Sequence, residues 1–136
     1  MNKITDLGII LKNYDFCDSI IYDIYWENKC QDLIISLDYY QDTSSERRIN
    51  LKFIKCFEFE FHMRDSNQNE NSDIFSYLTI VFFHILKKDN IIETKFKYST
   101  EEVFMTIRCC NIELYDFEYW SKVKQFLIRV RTLVVN

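Results

Sequence analysis

Apolar side chains recur at every second position through most of this chain, the signature of extended strands with one face buried. From Ser19 to Glu27, Ile20, Tyr22, Ile24 and Trp26 share one face, while Ile21, Asp23, Tyr25 and Glu27 share the other. From Asp32 to Tyr40, Leu33, Ile35, Leu37 and Tyr39 alternate with Ile34, Ser36, Asp38 and Tyr40. Asn28-Lys29-Cys30-Gln31 between them fits a four-residue hairpin loop. Pairing Glu27 with Asp32 places Trp26 opposite Leu33, Ile24 opposite Ile35 and Tyr22 opposite Leu37. A slip of one residue would turn each core face outward, so the register is well specified.

The longest alternating run carries Ile49, Leu51, Phe53, Phe57, Phe59, Phe61 and Met63 on odd positions. Lys55 interrupts it, which predicts a bulge near Ile54 to Cys56, and a strand this long must curve or cross between sheets. Tyr77 to Leu86 is apolar on both faces; a buried strand or a buried helix fits, and its β-branched and aromatic content favours the strand. Ile92, Thr94, Phe96 and Tyr98 mark another half-buried strand. Val103, Met105, Ile107 and Cys109 share a face, and the parity flips after Cys109-Cys110 so that Ile112 and Leu114 become the apolar positions. Such a flip signals a bulge or a change of sheet. Leu7 to Leu11 fits a short edge strand.

The period changes at the end of the chain. Phe117, Trp120, Val123, Phe126 or Leu127, Val130 and Leu133 or Val134 follow three- and four-residue steps behind Asp116, a suitable N-cap. An amphipathic helix over 117–134 is expected, with a strand at Ile128 to Val134 as the alternative. Asp42 to Arg48 and the wholly polar Asp65 to Asp73 read as loops. The expected fold is therefore mainly β within an α+β plan. One domain over 1–136 holds about seven antiparallel strands in sequential hairpin order, closed by one C-terminal amphipathic helix.

Composition excludes several chemistries. One Gly and no Pro among 136 residues leave no Walker loop, dinucleotide fingerprint or nucleophile elbow. A net charge of −4 argues against a general nucleic-acid footprint. No apolar run reaches the roughly 18 residues of a membrane span, and no signal-peptide pattern follows Met1. Five Cys, an odd number without a C-x-x-C pair, suit free thiols in a reducing cytoplasm. His62 and His84 are the only histidines and lack metal-ligand spacing, so neither a metal nor another cofactor is expected. Cys56, Glu58, Glu60 and His62 alternate on one strand face; an enzyme would need them to meet in a cleft.

Charge is distributed unevenly. Residues 1–46 contain nine acids and three lysines, while four cations and no acid follow from Tyr119 onward. On the outward face of the first hairpin, Glu27 faces Asp32 near Asp23 and Asp38, with Tyr25, Ile34 and Tyr40 interleaved. Like charges directly across a sheet are destabilising, so the patch needs either a use or a counter-charge. An acidic, tyrosine-bearing face suits a basic protein partner. Internal neutralisation is the alternative: with Ile49 opposite Tyr39, Arg48 and Lys52 fall beside Asp38.

Phe16-x-Asp18-Ser19-x-Ile21, then Trp26, Asp32-Leu33, Leu37-x-Tyr39-Tyr40 and Leu51-x-Phe53 resemble a group of small β-rich bacterial proteins. Some of these look like immunity proteins of polymorphic toxin systems. The resemblance covers roughly residues 14–63 and rests mainly on core positions. It implies a cytoplasmic protein that binds and blocks a toxin, and it brings no catalytic residues. The expected function is thus a non-enzymatic protein-binding module, with Asp23, Tyr25, Glu27, Asp32, Ile34, Asp38 and Tyr40 as its partner-binding residues. A small-molecule binder with an aromatic-lined pocket is the alternative, and a homodimer through an exposed strand edge or an apolar helix is compatible with either.

Overall fold

The structure, a computed structural model, describes residues 2–39, 47–62, 79–97, 99 and 102–117. Among these are nine strands and one helix. In chain order they are β1 (Asn2–Ile4), α1 (Leu7–Asn13), β2 (Ile20–Glu27), β3 (Asp32–Tyr39), β4 (Arg47–Ile54) and β5 (Glu58–Phe61), then β6 (Phe82–Lys88), β7 (Ile91–Lys97), β8 (Val103–Cys109) and β9 (Asn111–Asp116). Five strands form one antiparallel sheet in the order β1-β9-β4-β3-β2, and four form another in the order β5-β8-β7-β6.

Nine strands replace the expected seven largely because two long runs each divide between the sheets. β4 pairs with β3 and β9 in the first sheet; β5 pairs with β8 in the second. The break falls at Lys55, the residue that interrupts the alternation, and Lys55 takes a left-handed φ of 52°. Its N–H donates to Asp32 Oδ1 at 3.0 Å, and the next N–H, of Cys56, donates to Gln31 O at 2.7 Å. The parity flip at Cys110 marks the same event on the paired ribbon: β8 lies in the second sheet and β9 in the first. Cys110 N–H donates to Ile54 O at 2.9 Å, so the two crossings stand side by side.

The first hairpin has its expected register from Glu27↔Asp32 to Ile24↔Ile35. A bulge at Tyr22 then places Ile21, rather than Tyr22, opposite Leu37. Ile49 likewise faces Leu37 and not Tyr39, which brings Arg48 directly opposite Asp38. β4 begins at Arg47, so the end of the expected 42–48 loop is strand. The strand expected over Tyr77 to Leu86 lies instead at Phe82 to Lys88, preceded by an isolated bridge between Thr79 and Ile20.

Leu7 to Leu11 is not an edge strand but the body of α1. Asp6 caps it, its side chain accepting the Ile9 N–H at 3.2 Å, and Ile10 is buried. A capping Asp at the start and Lys12 in the last turn outweigh the period-two look of five residues. The expected C-terminal helix over 117–134 lies outside the described residues beyond Phe117, as do Tyr40 and the 65–73 loop.

The sheets share one core. Leu33, Ile35, Leu37, Ile49, Leu51 and Phe53 of the first sheet join Ile92, Phe96, Phe104, Met105, Ile107 and Cys109 of the second in a single buried cluster. Ten aromatic rings run through it without a gap, from Trp26 by way of Phe59, Phe61, Phe104 and Phe96 to Phe53 and Phe83, then Phe16, Tyr14 and Tyr39. Contacts between the sheets include Phe53–Phe96 at 6.5 Å and Trp26–Phe59 at 6.0 Å, edge-to-face arrangements suited to ring quadrupoles.

Candidate functional site

The outer face of β2 and β3 is built on a tight connection. Asn28, Lys29 and Cys30 all have left-handed φ values, 53°, 56° and 63°. Such a turn reverses the chain within the right-handed strand twist. It sets Glu27 against Asp32, and the expected clash of like charges is met by cations from the neighbouring strand. Lys52 Nζ lies 3.6 Å from Glu27 and 3.8 Å from Asp32. Arg48 Nη2 donates to Asp38 Oδ1 at 3.1 Å, and its guanidinium lies 3.9 Å from the centre of the Tyr22 ring.

The seven expected partner-binding residues divide accordingly. Asp23, Tyr25 and Glu27 are exposed on β2. Asp38 is half-buried under Arg48. Asp32 and Ile34 are only 5% and 4% exposed, so neither belongs to an open patch. Asp32 instead holds the β4–β5 crossing through the Lys55 N–H, and Ile34 sits between Tyr25 of β2 and Lys52 of β4. Tyr40 lies outside the described residues.

Two aromatic residues join the site that periodicity had placed in the core. The bulge turns Tyr22 out beneath Arg48, and Trp26 stands at the strand's end, 40% exposed, with its edge on Phe59. The apolar pair Ile20-Ile21 fits either register, so nothing in the local pattern announces the bulge. β2 is an outer strand of its sheet, so Tyr22, Asp23, Tyr25, Trp26 and Glu27 lie together along an edge. Partial burial raises the Tyr25 phenol above its usual range, and the carboxylates of Glu27 and Asp23 add to this, keeping a neutral hydrogen-bonding hydroxyl.

The alternating quartet on the long run does not converge. Glu58 is engaged by Arg108, whose Nε also donates to Glu93 at 2.8 Å. Glu60 and His62 lie 3.9 Å apart, both exposed. Cys56 packs against the core with its Sγ 3.4 Å from Glu58 O, and burial pushes its thiol up, away from the reactive thiolate. Among the described residues, no group of three or more His, Cys, Asp or Glu is placed to hold a metal ion.

A second polar cluster lies at the opposite end of the first sheet. Asp116, 2% exposed, accepts from Arg47 through both its oxygens and from Tyr14 Oη at 2.8 Å. The Arg47 guanidinium lies 5.9 Å from the Tyr14 ring centre, and Tyr39 Oη accepts the Asp15 N–H at 3.1 Å. These bonds fasten the segment after α1 to β4 and β9. Their carboxylate, guanidinium and phenol satisfy one another, as a buried polar network requires.

No family model matches the chain, and no curated protein matches it. Among solved structures it is similar to an uncharacterized protein from Neisseria gonorrhoeae, at 14% identity and a TM-score of 0.57. The match covers 84% of this chain and 97% of that one, and it shows a shared fold alone.

Proposed function

We propose that this protein is a non-enzymatic binding module whose β2 edge docks a basic protein partner. One observation carries the reading: Tyr22, Tyr25 and Trp26 are each about two-fifths exposed on an outer strand, beside the exposed acids Asp23 and Glu27. Trp and Tyr are the side chains that most often dominate interface energetics, and nearby carboxylates steer a cationic partner. Asp32 and Asp38 are buried or half-buried and engaged by the Lys55 N–H, Lys52 and Arg48, so the steering falls to the exposed Asp23 and to Glu27, which shares Lys52 with Asp32 but stays open to solvent. Residues 14–63 resemble a group of small β-rich bacterial proteins, some of which look like immunity proteins, and on that resemblance a toxin is the class of partner proposed.

The test is affinity for the product of the adjacent gene, measured by biosensor at two salt concentrations. Trp26→Ala or Tyr25→Ala should weaken binding by about 2 kcal/mol, a hot-spot loss read mainly in dissociation. Asp23→Lys with Glu27→Lys should slow association and flatten its salt dependence. Lys12→Ala, on α1, should change nothing. Unaltered affinity in all the β2 variants would remove this edge as the binding surface.

A further inference from the structure

The second sheet ends in an edge strand that is mostly apolar up to its two terminal lysines. Natural edge strands carry charge, Pro or bulges that discourage pairing. β6 is the outer strand of its sheet and presents Phe82 at 40% and Leu86 at 51% exposure. Its backbone orientation can be followed from the residues just before it. Val81 N–H donates to Lys97 O, toward β7, whereas Ile80 N–H donates to Ser19 O on the other side. Alternation then directs the N–H and C=O groups of Phe82, His84 and Leu86 away from β7, to the side on which no described strand pairs with β6.

We propose that this edge pairs with the β6 edge of a second copy, antiparallel about a two-fold axis at His84. In that register Phe82 faces Leu86 of the partner copy, His84 faces its own counterpart, and Phe83 faces Ile85. Every pair near the axis except the central one is apolar, and cross-strand apolar pairs stabilise a sheet. The result is an eight-stranded sheet that continues across the dimer, an isologous contact that closes on itself.

Charge points to the same register. β6 ends in Lys87 and Lys88, which the two-fold carries to opposite ends of the ladder. There Lys88 meets the level of Ile80 in the other copy, where Ser19 and Asp18 already occupy the edge: Asp18 N–H donates to Ile80 O at 2.6 Å. Asp18 is exposed, so each terminal lysine finds a carboxylate, twice by symmetry. The pairing stops where that segment begins, leaving a ladder of five residues from Phe82 to Leu86.

Sedimentation velocity across the micromolar to sub-millimolar range tests this. The expected result is a concentration-dependent dimer of the 16.7 kDa chain. Leu86→Lys, at an exposed position outside the core, should raise the dissociation midpoint roughly tenfold or more while circular dichroism stays unchanged. The register is read by cysteine trapping with oxidised glutathione in a Cys30→Ser, Cys110→Ser background. His84→Cys should link to itself. Phe82→Cys should not, but should link when mixed with Leu86→Cys. A monomer at every concentration, a dimer indifferent to Leu86→Lys, or a different trapping pattern would each overturn the proposal.

Discussion

Asp116 and Asp38 show why the same pair of residue types does different work at two positions. Asp116 is buried and shared between Arg47 and Tyr14, whereas Asp38 is half-buried and its partner Arg48 is exposed. Asp116→Ala withdraws a buried common acceptor from two half-buried donors and should cost about 2 kcal/mol in urea unfolding. Arg48→Ala should cost less than about 1 kcal/mol. Burial also makes two residues sensitive to alkali. It pushes the Cys109 thiol from 9.0 up to about 12. The Tyr14 phenol rises from 10.0 to about 12, first through burial and then through its bond to Asp116. Both groups stay protonated in the fold while the unfolded chain releases its protons earlier. Their contribution is complete below about pH 9 and is lost as pH rises toward 12. Urea midpoints followed to about pH 11 should therefore fall, and Cys109→Ala should make that fall shallower.

At the scale of the element, each strand boundary has a local cause that can be moved. The β2–β3 turn holds three consecutive residues in the left-handed region, of which Asn28 tolerates it best and Lys29 has no side-chain compensation in the described contacts. Lys29→Gly should therefore stabilise the hairpin by up to about 1 kcal/mol, read as a raised thermal midpoint. The strand pattern itself was legible from alternation alone. Leu33 to Tyr39, Ile49 to Phe53 and Ile92 to Phe96 bury the residues that their spacing selects. The interruption at Lys55 and the parity flip at Cys110 were legible as breaks. α1 was not, because about two helical turns have too few apolar positions to separate period 3.6 from period two.

For the whole molecule, the two sheets are bound together by the ribbons that pass between them and by a single aromatic core. Phe96 of β7 touches Phe53 of β4, Phe83 of β6 and Phe104 of β8. Phe96→Ala should cost about 3–5 kcal/mol. Because the core belongs to both sheets, tryptophan fluorescence and backbone circular dichroism should report one coincident transition, in the variant as in the wild type. Two separated transitions would mean that the sheets unfold independently.

What the sequence determined by itself was the strand pattern, which depends on neighbours along the chain. Alternation chose the strands and their inward faces, and a polar turn of four residues set the hairpin register from Glu27 to Ile24. The surplus of acid on the first hairpin was equally plain. Tertiary structure decided what depends on partners distant in sequence. Pairing of β3 with β4 brought Arg48 and Lys52 onto that acid surface, and the neighbours it gathered left Asp32 and Ile34 buried. The bulge at Tyr22 and the end position of Trp26 moved two aromatic rings from the expected core to the candidate site. Periodicity records which face of a strand is apolar; whether that face is covered depends on strand order, and strand order is set by the packing of the whole chain.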